Sequence, residues 1–146
     1  MSTSTTTTLY PEDKIYSRGS ETELPTNDDN LTLLTEQEYA DVLSDDAIRV
    51  SQGAAIEFPI FIFKEKADSS TQTVTAGWNG QSNIAPSSRP VRLQVWNRSS
   101  GGWELLDTDN STAANTDFDL SGNQSTNLSN YYDSNNFISF RVYQEK

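Results

Sequence analysis

Carboxylates are almost the only side chains in this 146-residue chain that could do acid–base or metal chemistry. Glu57, Glu104, Asp107 and Asp117 are the ones that a glycoside hydrolysis would call on, one as acid and one as nucleophile or base. Nothing in their spacing sets two of them across a cleft, and a solvated acidic surface accounts for them better. Asp107-Thr108-Asp109-Asn110-Ser111-Thr112 opens like a calcium loop. It lacks the Gly required at the sixth position, where Thr112 stands, and the Glu required at the twelfth, where Phe118 stands. Asp117, Asp119 and Asp133 offer further oxygens, but Asp and Asn are also ordinary turn residues. His and Cys are absent. That removes the Ser-His-Asp triad, the Cys nucleophile, imidazole and thiolate metal sites, and every disulfide. The expectation is a non-enzymatic protein with no metal site and no cofactor.

Binding chemistry is better represented. In 91–97, Val91, Leu93 and Val95 alternate with Arg92, Gln94 and Trp96. In 137–144, Ile138, Phe140 and Val142 alternate with Phe137, Ser139, Arg141 and Tyr143. Alternation at period two puts each set on its own sheet face. If the two polar faces share a sheet, Arg92, Trp96, Arg141 and Tyr143 form one patch. Trp, Tyr and Arg are the anchor types of protein interfaces. They also suit a sugar stacked on a ring with Arg bonded to its hydroxyls. A third reading leaves the patch covered by its own chain.

The elements that carry these residues are mostly strands. Candidates are 56–64, 73–78, 91–97, 103–107, 116–120 and 137–144. They are separated by the turn signals Asn79-Gly80, Ser99-Ser100-Gly101-Gly102 and Ser121-Gly122-Asn123. The short loop between 91–97 and 103–107 predicts a hairpin. Pro59 cannot donate to a ladder, so strand 56–64 is expected at an edge or with a bulge. Thr35-Glu36-Gln37-Glu38 is a capping box, with Leu34 and Tyr39 placed for a hydrophobic staple. It predicts one short helix over about 36–44. Short strands at this spacing indicate an all-β fold, an antiparallel β-sandwich of jelly-roll type.

Charge divides the chain. Residues 1–50 carry a net charge of −8 and residues 51–146 a net of −3. The division predicts an acidic N-terminal arm, 1–50, and a sandwich domain, 51–146. Residues 2–8 are Ser/Thr low complexity, and 9–33 hold Pro11, Gly19 and Pro25 without a sustained period, so the arm is expected to be extended. An acidic arm with apolar anchors suits an Arg/aromatic face as a strap, in cis or onto a neighbour. The expected interface residues are Tyr10, Tyr16, Leu24 and Leu31 on the arm and Arg92, Trp96, Arg141 and Tyr143 on the sheet. Truncation of residues 1–33 is expected to leave the sandwich folded and to abolish assembly.

The overall charge of −11 opposes phosphate backbones, so no nucleic-acid partner is expected. No apolar run approaches membrane-spanning length, so no membrane partner is expected either. Ser, Thr and Asn make up close to a third of the residues, a composition of extracellular type. The first residues, however, lack the basic and apolar regions of a secretory signal. Export by a dedicated machine, cleavage from a longer precursor or release inside a virus particle would each reconcile the two, and the virus particle is the expectation.

One stretch resembles a known kind of domain. A strand ending in Trp96-Asn97 is followed by Trp103-Glu104 and Leu106-Asp107. Then come Thr116-Asp117-Phe118, Asn127-Leu128, Tyr131-Tyr132-Asp133 and a last strand with Arg141-Val142-Tyr143. This pattern is similar to β-sandwich segments of bacteriophage structural proteins and bacterial surface proteins, over about a third of the chain. The resemblance implies a sandwich and leaves several functions open, from adhesin to virion protein. The expected function is a virion structural protein, a capsid decoration protein or small tail component of a tailed phage. Its partners would be other virion proteins and copies of itself, as in a trimer or another symmetric homo-oligomer. The alternative is a carbohydrate-binding or adhesin module.

Overall fold

A computed structural model describes residues 12–43, 49–68 and 71–146. Among these residues, eight strands and one α-helix follow in the order β1 (Lys14–Glu21), β2 (Thr32–Leu33), α1 (Glu36–Val42), β3 (Phe58–Lys66), β4 (Val74–Gly80), β5 (Val91–Asn97), β6 (Gly102–Asp109), β7 (Phe118–Gln124) and β8 (Phe137–Gln144), with a 3-10 turn at Leu128–Asn130 before β8. A six-stranded sheet has the order β2-β1-β3-β8-β5-β6, and β4 and β7 pair as a second sheet. Every pairing is antiparallel. The fold is an all-β sandwich with six strands facing two.

The aliphatic rows predicted from alternation build its core. Val91, Leu93 and Val95 of β5 and Ile138, Phe140 and Val142 of β8 pack against Ala76, Phe118 and Leu120 of the small sheet. Full burial of each such side chain contributes on the order of 1.5–3 kcal/mol. β8 is buried along its whole length, since it lies in the middle of the large sheet and both of its faces are covered.

Three departures from the sequence reading have local causes. Residues 14–21, expected to be merely extended, form β1 and pair with β3 in continuous register from Lys14↔Glu65 to Glu21↔Phe58. Strand β3 is therefore interior. Pro59 is tolerated because the β8 ladder begins only at Ile60↔Tyr143, one residue further on. The Asn79-Gly80 and Ser121-Gly122-Asn123 turn signals lie inside β4 and β7. Their glycines make room instead of making turns. A Cβ on Gly80 would lie 2.3 Å from the Trp78 ring, and one on Gly122 would lie 2.7 Å from Leu106 Cβ.

The helix begins where the capping box places it. Glu38 N–H donates to Thr35 Oγ1 (3.2 Å), and Thr35 N–H donates to Glu38 Oε1 (3.0 Å). The Thr35 backbone bond, with help from Arg18 at 2.8 Å, lowers the Glu38 pKa against the effect of burial. The last helical residue is Val42; position 44, where the predicted helix ends, lies outside the described residues. The helix presses Tyr39 onto Tyr16 of β1, rings stacked at 5.4 Å. Thr35→Ala is expected to cost about 1 kcal/mol, read as a lower urea midpoint at unchanged slope.

Candidate interaction surface

The polar rows of β5 and β8 do share one face of the large sheet, as β5 and β8 are neighbours with Arg92↔Tyr143 and Gln94↔Arg141 in register. What covers that face is the chain itself. Residues 22–31, between β1 and β2, cross over it. Leu24 and Leu31 pack on Ile60, Ile62 and Tyr143. The Leu31 N–H donates to Ser17 Oγ (3.1 Å), which explains a serine only 1 % exposed in β1.

Arg141 is the centre of the arrangement. It is 4 % exposed and faces no carboxylate in its hydrogen bonds. Its Nε donates to Gln94 Oε1 (2.6 Å) and its Nη1 to the Pro25 carbonyl (2.7 Å). Its guanidinium lies 4.5 Å from the Trp103 ring centroid and 5.2 Å from that of Tyr143. Burial pushes its pKa down to about 10, with Tyr143 opposing the shift, so it stays charged at neutral pH. The stacking supplies the electrostatic attraction that an ion pair would otherwise give.

Asp28 fastens the crossing segment. Its carboxylate accepts from Arg98 Nη2 (2.6 Å) and from Ser139 Oγ (2.6 Å). Nearby, Trp103 Nε1 donates to the Asn27 carbonyl (3.2 Å). Burial raises the Asp28 pKa, but the bonds from Arg98 and Ser139 and the charges of Lys64 and Arg98 outweigh it, so the net shift is downward. A depressed carboxylate stabilises the fold above its unfolded value of about 3.9, and that contribution is lost as pH falls through the lower folded value. Asp28→Asn is therefore expected to cost about 2 kcal/mol at pH 7. The difference from the parent should shrink below about pH 4. Urea melts of both proteins across pH would check this, and a pH-independent difference would count against it.

The expected interface residues thus divide. Leu24, Leu31, Trp96, Arg141 and Tyr143 come together within one chain, with Trp96 beside Trp103 at 5.3 Å. Arg92 lies on the same face but pairs with Glu145 rather than with the arm. Tyr16 points to the opposite face, against Tyr39 and Phe63, and its hydroxyl donates to Glu65. Burial, followed by that bond, raises the Tyr16 pKa. Tyr10 lies outside the described residues. Trp103, Arg98, Asp28 and Gln94 were missed as partners. Of these, Gln94 and Arg98 continue the alternating row of Arg92 and Trp96, and the hairpin register sets Trp103 directly opposite Trp96, whereas Asp28 carried no local signal.

Most of the carboxylates weighed for catalysis or calcium are engaged by neighbouring groups. Glu104 accepts from the Tyr131 hydroxyl (2.5 Å), which together with burial, the larger cause, raises Tyr131 to about 12. Asp107 accepts the Ser121 N–H (2.9 Å), Asp109 caps Ser111 and Thr112, and Asp133 caps Asn135 and Phe137. Asp117 pairs with Arg49 at 2.6 Å. Among the described residues no three metal-ligating side chains converge, and no helix is long and apolar enough to cross a membrane.

Fold and face together define an antiparallel β-sandwich domain whose N-terminal segment is strand and cover at once. The chain belongs to the AF_1625_C family, described as "Uncharacterized protein, C-terminal domain", whose model matches residues 4–146. No curated protein and no solved structure matches it significantly.

Proposed function

We propose that this protein is a non-enzymatic structural subunit of a virion, a capsid decoration protein or small tail component, that works by cohesion with its neighbours. The observation that carries this reading is the shape of the large sheet's edges. One edge is blunted, since β2 has only two residues. The other, β6, is an eight-residue strand without Pro or Lys, and its Leu105 is 58 % exposed. Glu104, Asp107 and Asp109 and the bulge opposite Leu93/Gln94 blunt it in part, but a long edge with an exposed apolar side chain still invites pairing with another chain. The extracellular-type composition and the resemblance of 91–144 to sandwich segments of phage and bacterial surface proteins are compatible with the virion setting. The partners in this reading are copies of the chain and other coat proteins, and the charge of −11 argues against nucleic acid.

The strap belongs to the block rather than to the neighbour in this reading, because its segment 22–31 is used in cis. The carbohydrate alternative loses the platform first expected for it, since Trp96 and Tyr143 are only 7 % and 6 % exposed. Analytical ultracentrifugation of the whole chain tests the proposal. Concentration-dependent oligomers are expected, and Leu105→Lys should abolish them without lowering the melting temperature. A protein that is monomeric throughout, or oligomers indifferent to Leu105→Lys, would overturn it.

A further inference from the structure

The layer facing the large sheet is discontinuous. The small sheet covers β5 and β8, α1 covers β1, and a cleft lies between α1 and β4 over β3. Its volume is about 650 Å³, within the range of ligand clefts. Phe61 and Phe63 form its half-buried floor, and Trp78 of β4 stands in its wall. The indole is held in place. Its six-membered ring lies against Gly80, where a Cβ would be 2.3 Å away, and Phe118 packs beside it at 5.4 Å. Gln52, Gln81 and Asn83 stand at the rim. The cation that reaches the cleft, Arg49, is neutralised by Asp117 at 2.6 Å and also bonded to Asn79 at 3.0 Å.

We infer that this cleft binds a neutral oligosaccharide. Each sugar ring has an apolar C–H face that stacks on an aromatic ring, and a fixed ring costs little entropy on binding. Each sugar hydroxyl both donates and accepts, as does each amide side chain at the rim. Among the described residues, the neutralised Arg49 leaves no free cation in the cleft to select an anionic glycan, and the chain's net charge of −11 would repel one. The site is separate from the β6 edge and does not depend on the assembly proposed above.

The test is calorimetric titration of the whole chain with cellohexaose, maltohexaose, xylohexaose, mannohexaose and chitohexaose, with tryptophan fluorescence as a second readout. Saturable binding of at least one is expected. Trp78→Ala, and separately the surface pair Gln81→Ala with Asn83→Ala, should each weaken it at least about tenfold. The rim pair keeps the test decisive if loss of the indole disturbs β4. No binding by any of the five, or binding unaltered in the rim pair, would overturn the inference. So would binding of an extended Thr-rich peptide in place of sugars, which would make the cleft a strand-addition site along the free edge of β4.

Discussion

A chain lacking residues 1–33 is expected to be unfolded or insoluble, with no cooperative melt. The deletion removes β1, whose eight residues pair with β3. It bares Ile60, Ile62 and Tyr143, which Leu24 and Leu31 cover. It leaves Arg98 and Ser139 without Asp28, and Arg141 without the Pro25 carbonyl. Each loss is worth one to several kcal/mol, and together they exceed the roughly 5–15 kcal/mol that holds a domain together. This is the opposite of the expectation from the charge division at residue 50, a sandwich indifferent to its arm. Circular dichroism during heating, with solubility after expression, checks this. A truncated chain that melts near the parent's temperature would restore the separable arm.

Arg141→Ala is expected to cost about 3–4 kcal/mol, the largest effect of any single substitution considered for this face. The change leaves Gln94 Oε1 and the Pro25 carbonyl partly buried without their donor, removes the contacts with Trp103 and Tyr143, and opens a cavity. Arg141→Lys should recover only part of the loss, about half, because an ammonium cannot reproduce the planar fork that bonds and stacks at once. Urea unfolding at pH 7 gives both numbers. A loss under about 1 kcal/mol for Arg141→Ala would mean that the arm segment relaxes to satisfy itself.

What the sequence made legible was whatever depended on neighbours close in the chain. The alternation of 91–97 and 137–144 placed both faces of β5 and β8 correctly, and the capping box placed the start of α1. The strand in 14–21 was hidden because its cover-facing positions hold Ser17 and Gly19, which break the apolar period. Ser17 is satisfied by Leu31 N–H, and Gly19 sits under the Leu31 side chain. Gly80 and Gly122 looked like turns because a glycine needed for close approach has the same letter as one needed for a bend. Segment 22–31 does lie against Arg98 and Arg141, but the partner of each arginine was not readable. Asp28 and Ser139 are 111 positions apart, and no local pattern joins them. Arg98, just past the end of β5, takes the Asp28 carboxylate, while Arg141 bonds to Gln94 and the Pro25 carbonyl.

The sheet order also sets a timetable for synthesis. β8 lies between β3 and β5, so the strand made after all the others is the one that joins the two halves of the large sheet. Until residues 137–144 have left the ribosome, β1 with β3 and β5 with β6 are separate ribbons with raw edges. Closure then requires contacts far apart along the chain, which are slow to find. The nascent chain passes through a stage in which Ile60, Ile62, Leu93 and Val95 lack their central partner, a natural moment for a chaperone to hold it.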